Sequence, residues 1–466
     1  MKSQTHKLSV LEKIGYGSGD AAVNVVISSF FLIISIFYTD IFGLKPKDMA
    51  LLFLLVRFLD AVADPVMGLI TDKFKFKGGR YRPYFLAMSI PFGIAIFLTY
   101  STPDFTYASK LVYAYCSYIL VNLMFTSVTI PYISIISVLT SDPQEKLSAN
   151  GFRLFFAKVA ALLVSTVVPV MAEYVGKIDW STFSMTGMHF TYTKLAQPNM
   201  ALGYQFAMGV MAVMAILLFI FCYFSTEERI EYVTEKQSIW EQFKLLIKNH
   251  QWLLLWGSCL SGTVGYAIRT AVAMYYAKYY LGGDASVQSS FLGTGVIASI
   301  LAMPLSNFIT KRFCKIKLFW MSQLTVVVIS VIMFFSVGPN NIILAYVMYF
   351  ILMLVVDVHA PVFWSAIAEA VDYGQVETGK RVSGLAFGGI SFAQKAGMGI
   401  AGAAVGILLD AFGYVPNAVQ SHTSLLGLTL MLTLIPAVFH LINGLLVMRY
   451  KITDKYYETI KAKLNI

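Results

Sequence analysis

The chain has 466 residues, 58% of them hydrophobic and only 13% charged, with a mean hydropathy of +0.69. A soluble domain needs far more charged surface than that. The net charge of +10 brings nucleic-acid binding to mind, but the placement of the basic residues argues for membrane topology instead.

Apolar runs of about 20 residues, the length of a bilayer-crossing helix, recur along nearly the whole chain. They predict an all-α membrane protein with twelve transmembrane helices in two pseudo-symmetric six-helix bundles. The spans fall at roughly 19–42, 49–72, 83–100, 110–139, 152–175, 201–224, 252–281, 287–310, 317–337, 341–368, 382–412 and 424–449. With the N-terminus in the cytoplasm, about 25 Lys and Arg fall in or beside cytoplasmic segments and about 5 in external loops, as the positive-inside rule requires. Both termini are therefore expected in the cytoplasm, and no nucleic-acid partner is expected. The start, "MKSQTHKLSVLEK", is polar, and the first apolar run is too long for a signal-peptide core, so no cleavable targeting segment is expected.

Near the start of the first span, "GYGSGD" (15–20) lacks the lysine and the preceding strand of a phosphate-binding loop. The second span holds "RFLDAVADPVMG" (57–68), with Arg57, Asp60 and Asp64 at i, i+3 and i+7 on one helical face. A lone charge at membrane depth costs about 3 kcal/mol on insertion scales, and such residues generally face a cavity or a partner. Arg57 can neutralise one carboxylate; the second remains to be explained. Two neighbouring carboxylates in a low dielectric share a proton or recruit a small cation. Asp60 and Asp64 are thus the expected driving-ion site, and would be metal ligands only if the ion is sodium. Pro65 frees a carbonyl in the preceding turn that can join them.

In the fourth span, Asn122, Thr126 and Thr129 follow at i+4 and i+3, with Pro131 beyond. Such hydroxyls often bond only to their own helix, yet three in register make a polar stripe. The fifth span brings Arg153 and, beyond it, Lys158 in "GFRLFFAKVAA", with Arg153 counted among the substrate contacts. The charged stretch 225–250 separates six spans from six, so the expected division is 1–224, a central cytoplasmic loop at 225–250, and 251–466 with a cytoplasmic tail.

Arg269, in the middle of the seventh span, either holds substrate or pairs with Asp357. Asp357 and His359 of the tenth span either relay protons or are satisfied packing groups. The eleventh span, "VSGLAFGGISFAQKAGMGIAGAAVG" (382–406), is rich in small residues that permit close helix contact. It carries Ser391, Gln394 and Lys395. Lys395 lies roughly 21 Å of helix from the cytoplasmic start, too deep to reach water easily, and a carboxylate such as Asp60 or Asp64 is its expected partner.

The halves echo each other. "PVMGLITDKF" (65–74) and "PLSNFITKRF" (304–313) leave the second and eighth spans alike, and "IFYTDIFG" (36–43) and "MYYAKYYLG" (274–282) close the first and seventh. Duplicated halves predict a binding site near the midplane. The six histidines form no HExxH, and no Ser/His/Asp arrangement stands out, so no enzyme is expected.

The motifs "EKIGYGSGDAAVN" (12–24), "FYTDIFGL" (37–44), "RFLDAVADPVMGLITDKFKFKGGRYRPY" (57–84), "WSAIAEAVDYGQVETGKRVSG" (364–384) and "SFAQKAG" (391–397) resemble those of the glycoside–pentoside–hexuronide:cation symporters. These are the melibiose-permease relatives within the major facilitator superfamily. The resemblance implies a twelve-helix alternating-access transporter with a cation site at Asp60, Asp64 and Thr126 and a functional lysine at Lys395. It implies a cytoplasmic gate formed by Asp72, Arg80 and Arg82. It also places sugar contacts at Asn24 and Thr129, where melibiose permease has aspartates, and Ile133 where that permease has a stacking tryptophan. An asparagine linked there with sodium aligns with Ala63, which favours protons over sodium.

The resulting expectation is a secondary symporter of the inner membrane that takes up a glycoside, with a pentoside or hexuronide favoured by the less acidic cavity. H+ or Na+ is the coupling ion, no other cofactor is used, and the chain acts as a monomer in the lipid bilayer. Substrate contacts are expected from Asn24, Asn122, Thr129, Arg153, Arg269, Ser391 and Gln394, and Phe125, Tyr132 and Tyr266 are candidates for stacking on a sugar ring. A transporter of lipid-like cargo and a sugar receptor that does not transport are the alternatives.

Overall fold

The computed structural model describes residues 7–74, 76, 78–140, 142–186, 189–229, 239–339 and 341–464. Each of the twelve expected spans is occupied by helix. The first is Val10–Leu32 with Ile34–Ile36, and the next five are Pro46–Lys73, Arg82–Thr99, Tyr107–Leu139, Pro143–Gly176 and Met200–Ser225. The seventh is His250–Tyr275, followed by Ala285–Thr310 and Lys315–Ser336. The tenth is Ile342–Asp357 with Ala360–Thr378, the eleventh Gly384–Ala411, and the twelfth His422–Leu432 with Leu434–Met448. Among the described residues, nine helices are long and apolar enough to cross a bilayer on their own, and the bent first pair makes ten. The second and seventh are outside that count, and they carry Arg57, Asp60, Asp64 and Arg269. Helices that hold charge are diluted in apolar content by the residues that give them a role.

The chain divides into two compact units. The first comprises Met1–Val233 with Gly283–Gly293 and Pro416–Ala418; the second comprises Thr234–Gly282, Thr294–Val415 and Val419–Ile466. The division falls inside the 225–250 stretch, of which residues 230–238 lie outside the described residues.

In the first unit, the first span packs on the fifth, sixth and fourth, and the third on the sixth and fourth. Gly203 allows the sixth span onto the fifth: a Cβ there would sit 1.9 Å from the Ala172 carbonyl oxygen. In the second unit, the seventh span packs on the eleventh and twelfth. A Cβ on Gly397 would come within 2.9 Å of the Thr263 Cβ and 3.1 Å of the Leu260 carbonyl oxygen. The small residues of the eleventh span thus set its approach to the seventh.

The duplicated span ends are duplicated conformations. Phe37–Ile41 and Tyr276–Tyr280 are both single π-helical turns. They close with Phe42 N–H donating to the Phe37 carbonyl at 2.8 Å and Leu281 N–H to that of Tyr276 at 3.1 Å. The next residue is Gly43 at φ +84° in one half and Gly282 at φ +64° in the other, a left-handed conformation that favours glycine. Equal offsets in both halves give the internal repeat a backbone basis.

Three elements went unanticipated. Residues Ile178–Thr186 and His189–Lys194 form an antiparallel hairpin between the fifth and sixth spans, in a stretch expected to be loop. A short helix, Ile239–Lys248, precedes the seventh span and is separated from it by Asn249. A tail helix, Asp454–Leu464, follows the twelfth, and its Tyr457 hydroxyl donates to Asp372 Oδ2 at 2.7 Å.

Candidate functional site

The second span places Asp60 and Asp64 one helical turn apart and gives them different partners. Arg57 donates from one terminal nitrogen to Asp60 Oδ2 at 2.7 Å and from the other to the Tyr118 hydroxyl at 3.1 Å. Asp60 is 4% exposed, so its charge is matched at short range where water cannot screen it. Asp64, half-buried, accepts a hydrogen bond from Thr126 Oγ1 at 2.8 Å, and Thr126 itself is buried. The structure thus brings together three of the four expected coupling residues.

The rest of the fourth-span stripe is divided. Asn122 Nδ2 donates to the Tyr118 carbonyl at 2.7 Å and is committed to its own helix. The Thr129 hydroxyl oxygen is buried and makes no hydrogen bond. On the first span, Asn24 Nδ2 bonds back to the Asp20 carbonyl at 2.9 Å.

Asp20 escaped the reading of the sequence, where "GYGSGD" was weighed only as a phosphate loop. Its Oδ2 lies 3.7 Å from Arg153 Nε, a charge contact too long for a hydrogen bond. Among the described residues, Arg153 Nε and the Tyr16 hydroxyl are buried without a hydrogen bond of good geometry, although the guanidinium and the phenol lie close enough to interact. Tyr132 seals one side: its hydroxyl donates to the Tyr16 carbonyl at 2.8 Å and its ring stacks on that of Tyr16 at 5.2 Å. Gly19 leaves room for it, since a Cβ there would sit 2.4 Å from the Tyr132 ring. Tyr132 is therefore packed in the core, 1% exposed, and is not a surface for a sugar ring. Phe125 and Tyr266 are half-buried.

In the second unit, Arg269 departs from the expected substrate contact. It is 0% exposed, and it donates from Nε to the Leu432 carbonyl at 3.1 Å and from NH2 to Ser330 Oγ at 3.2 Å. Its NH1 lies 3.1 Å from His440 Nε2. Arginine only donates, so His440 Nε2 accepts and Nδ1 carries the proton, which reaches Gln323 Oε1 at 2.8 Å. Gln323 Nε2 continues to His359 Nδ1 at 3.0 Å, Asn443 Nδ2 donates to Gln323 Oε1 at 3.3 Å, and Ser258 Oγ to Asn443 Oδ1 at 2.6 Å. Asp357 accepts the Ser299 hydroxyl and lies near enough to Arg269 for the two charges to interact. This network joins the seventh, ninth, tenth and twelfth spans and bonds Arg269 within the second unit. On the eleventh span, Ser391 Oγ bonds back to the Phe387 carbonyl at 3.2 Å, and Gln394 and Lys395 are half-buried.

The loop ahead of the third span is held by a residue the sequence did not single out. Glu228 accepts three backbone hydrogen bonds, from Arg80 N at 2.8 Å, Tyr81 N at 2.7 Å and Arg82 N at 2.8 Å. These are the unsatisfied donors of a helix start, where negative charge is also favoured by the helix dipole. Gly79 lets the carboxylate in, for a Cβ there would sit 2.5 Å from Glu228 Oε1. Arg82 donates through NH2 to the Tyr223 carbonyl at 2.8 Å and its guanidinium lies 4.8 Å from the Tyr223 ring centre. Asp72 lies on the second-span helix, but its side chain is outside the described residues.

A family model described as MFS/sugar transport protein matches residues 15–454. An inner membrane symporter, YicJ of Escherichia coli strain K12, is 31% identical over 466 residues, covering 100% of this chain and 96% of that protein. An isoprimeverose transporter of Lactiplantibacillus pentosus is 30% identical, covering 97% of this chain and 91% of that protein. Among solved structures, a bacterial homolog of the human lysosomal transporter Spinster superposes with a TM-score of 0.63 at 12% identity, over 96% of this chain and 98% of the other. At that identity the match shows the fold alone.

Proposed function

The chain belongs to the MFS/sugar transport protein family and is a membrane transporter rather than an enzyme; on that premise we propose that it carries a glycoside inward together with a cation, with Asp64 taking up the driving ion. The observation that carries this reading is the placing of two acids one turn apart inside a span, with Arg57 bonded to Asp60 and the Thr126 hydroxyl bonded to Asp64. An incoming proton or small cation at Asp64 removes a buried charge at modest loss of hydrogen bonding, so occupancy follows the ion gradient. A proton suits the site better than sodium, because Thr126 uses its hydroxyl hydrogen towards Asp64 and Ala63 offers no side-chain oxygen.

The sugar is assigned to the first, fourth and fifth spans. Arg153 Nε, the Tyr16 hydroxyl and Thr129 Oγ1 have hydrogen-bonding capacity left over, and a buried polar group without a partner costs about 1–3 kcal/mol. Sugar hydroxyls both donate and accept, and so suit this mixture. A pentoside or hexuronide is the favoured cargo, with Arg153 as the group that meets a carboxylate or ring hydroxyls. The kinship with an isoprimeverose transporter supports a glycoside. Lys395 completes the coupling set, and Arg80 and Arg82 gate the cytoplasmic side. The chain acts as a monomer with both termini in the cytoplasm.

Uptake into proteoliposomes under separately imposed proton and sodium gradients tests the reading. Asp64→Asn should lower gradient-driven uptake about a hundredfold or more while sugar exchange across the membrane persists. Undiminished uptake would remove Asp64 from the ion site. Transport confined to neutral galactosides would overturn the assignment of substrate class.

A further inference from the structure

The helix Ile239–Lys248, in the linker between the two halves, has two unlike faces. Leu246, 5% exposed, is built into the core of the second unit with Trp252 and Leu255. Asn249, next in sequence, donates to the Ala370 carbonyl at 2.7 Å. The exposed face holds Trp240, Phe243 and Ile247, at i, i+3 and i+7, exposed by 64%, 43% and 46%. The Trp240 and Phe243 rings stack at 5.7 Å, and the Lys244 ammonium sits 5.5 Å from the Trp240 ring centre. Lys248 lies one turn beyond Lys244 on the same flank. Glu241, the one acid in this helix, is engaged by Lys380 at 2.5 Å within the same unit.

We propose that this face lies flat in the membrane surface and binds anionic phospholipid, with Trp240, Phe243 and Ile247 among the upper acyl chains and Lys244 and Lys248 on the phosphates. Its depth is set by the chain itself. Only Asn249 separates the helix from His250, where the seventh span begins, so the helix ends within a turn or two of the bilayer boundary. An aromatic and aliphatic stripe flanked by lysines is the composition of interfacial helices, and tryptophan favours that depth. Charge selects the lipid: with Glu241 engaged by Lys380, the open flank is positive and complements phosphatidylglycerol or cardiolipin rather than zwitterionic headgroups. Gln251 accepts from the Lys451 backbone N–H at 2.8 Å, which holds the basic end of the twelfth span beside the start of the seventh. The lipid site is thus continuous with the lipid-facing surface of the protein. The device ties the linker to the membrane while Leu246 ties it to the second unit.

The inference rests on the membrane-spanning fold and is independent of the ion site, so its failure and that of Asp64 read out separately. The full chain is reconstituted in phosphatidylethanolamine with or without phosphatidylglycerol, using lipids brominated in the upper acyl chain. The difference in tryptophan quenching between the native protein and Trp240→Phe isolates Trp240. Bromolipid should quench that component and aqueous iodide should not. In Lys244→Gln/Lys248→Gln, native mass spectrometry should show phosphatidylglycerol retention over phosphatidylethanolamine falling roughly thirtyfold, two lysines at about fivefold each, with Tm unchanged. Quenching of Trp240 by iodide alone, shielding from both quenchers by a second copy or another protein, or unaltered lipid selectivity would each overturn the proposal.

Discussion

The polar centres of the two halves differ in how completely they are satisfied. Around Arg269, donors and acceptors from four spans close into one network: guanidinium to imidazole, imidazole to amide, amide to amide, amide to hydroxyl. Around Arg153, the neighbouring acid stands off at 3.7 Å, and among the described residues a guanidinium nitrogen and the Tyr16 hydroxyl lack a hydrogen bond of good geometry. The two acids of the second span also meet different groups, Asp60 the Arg57 guanidinium and Asp64 the Thr126 hydroxyl. A closed buried network rigidifies and specifies packing, whereas an incomplete one is ready for a ligand. Duplication supplied two similar scaffolds, and in this chain the first carries the unfinished bonding while Arg269 anchors the second.

The largest test of that contrast is Arg269→Ala. It would strand His440 and the Leu432 carbonyl in a dry interior and should destabilise the second unit by about 3–5 kcal/mol. Detergent-solubilised protein should show a markedly lower Tm, and a variant with native Tm but impaired sugar affinity would return Arg269 to the substrate contacts. Two threonines on one helix give a finer test. Thr126→Val removes the bond to Asp64 and should cut gradient-driven uptake about tenfold or more. Thr129→Val removes a hydroxyl with no partner, so Tm should hold or rise slightly while the uptake KM increases a fewfold. Equal effects of the two on coupling would erase the division between ion and sugar positions.

Weaker effects belong to the rim. Glu228→Gln keeps the shape and one acceptor oxygen but loses the charge on three backbone N–H groups, at a cost of about 1–2 kcal/mol. Faster tryptic cleavage after Arg80 would report it; native cleavage rates would show the loop is held by other contacts. The smallest effect concerns Glu145. Its bond to the Lys13 ammonium, 2.8 Å away, and the backbone N–H of Leu8 hold its carboxyl below the ordinary range. A depressed carboxyl adds stability above its unfolded value and loses it as pH falls through its lowered folded value. Acidification should therefore free the N-terminal segment to added protease. Glu145→Gln should show that exposure already at neutral pH, and a pH-independent digest of the native chain would show that the contact does not matter.

How much was legible follows from the range of each signal. Span positions, the stripe of Arg57, Asp60 and Asp64, and the repeated endings that became paired π turns are all local patterns of period and composition. By residue pattern Thr126 was one of three polar residues in register, and only the family resemblance put it with the aspartates; its bond to Asp64 joins positions 62 apart. Arg269 was misplaced because its partners come from 61 to 171 residues away. Asp20 and Glu228 looked like ordinary charges near span ends, since Arg153 and the 80–82 amides meet them only in the folded bundle. The hairpin at 178–194 carries an alternation too short and too polar to read as strand beside such apolar neighbours.

The sequence by itself determined that this is a membrane transporter of twelve helical spans in duplicated halves, and that acids, hydroxyls and bases lie inside them. That information is written in hydropathy, charge and repeated motifs, which depend on each residue and its near neighbours. Which charge is matched and which is left open was decided by tertiary structure alone. In a low-dielectric interior the state of a polar group depends on the few atoms within hydrogen-bonding distance, and those atoms come from other helices.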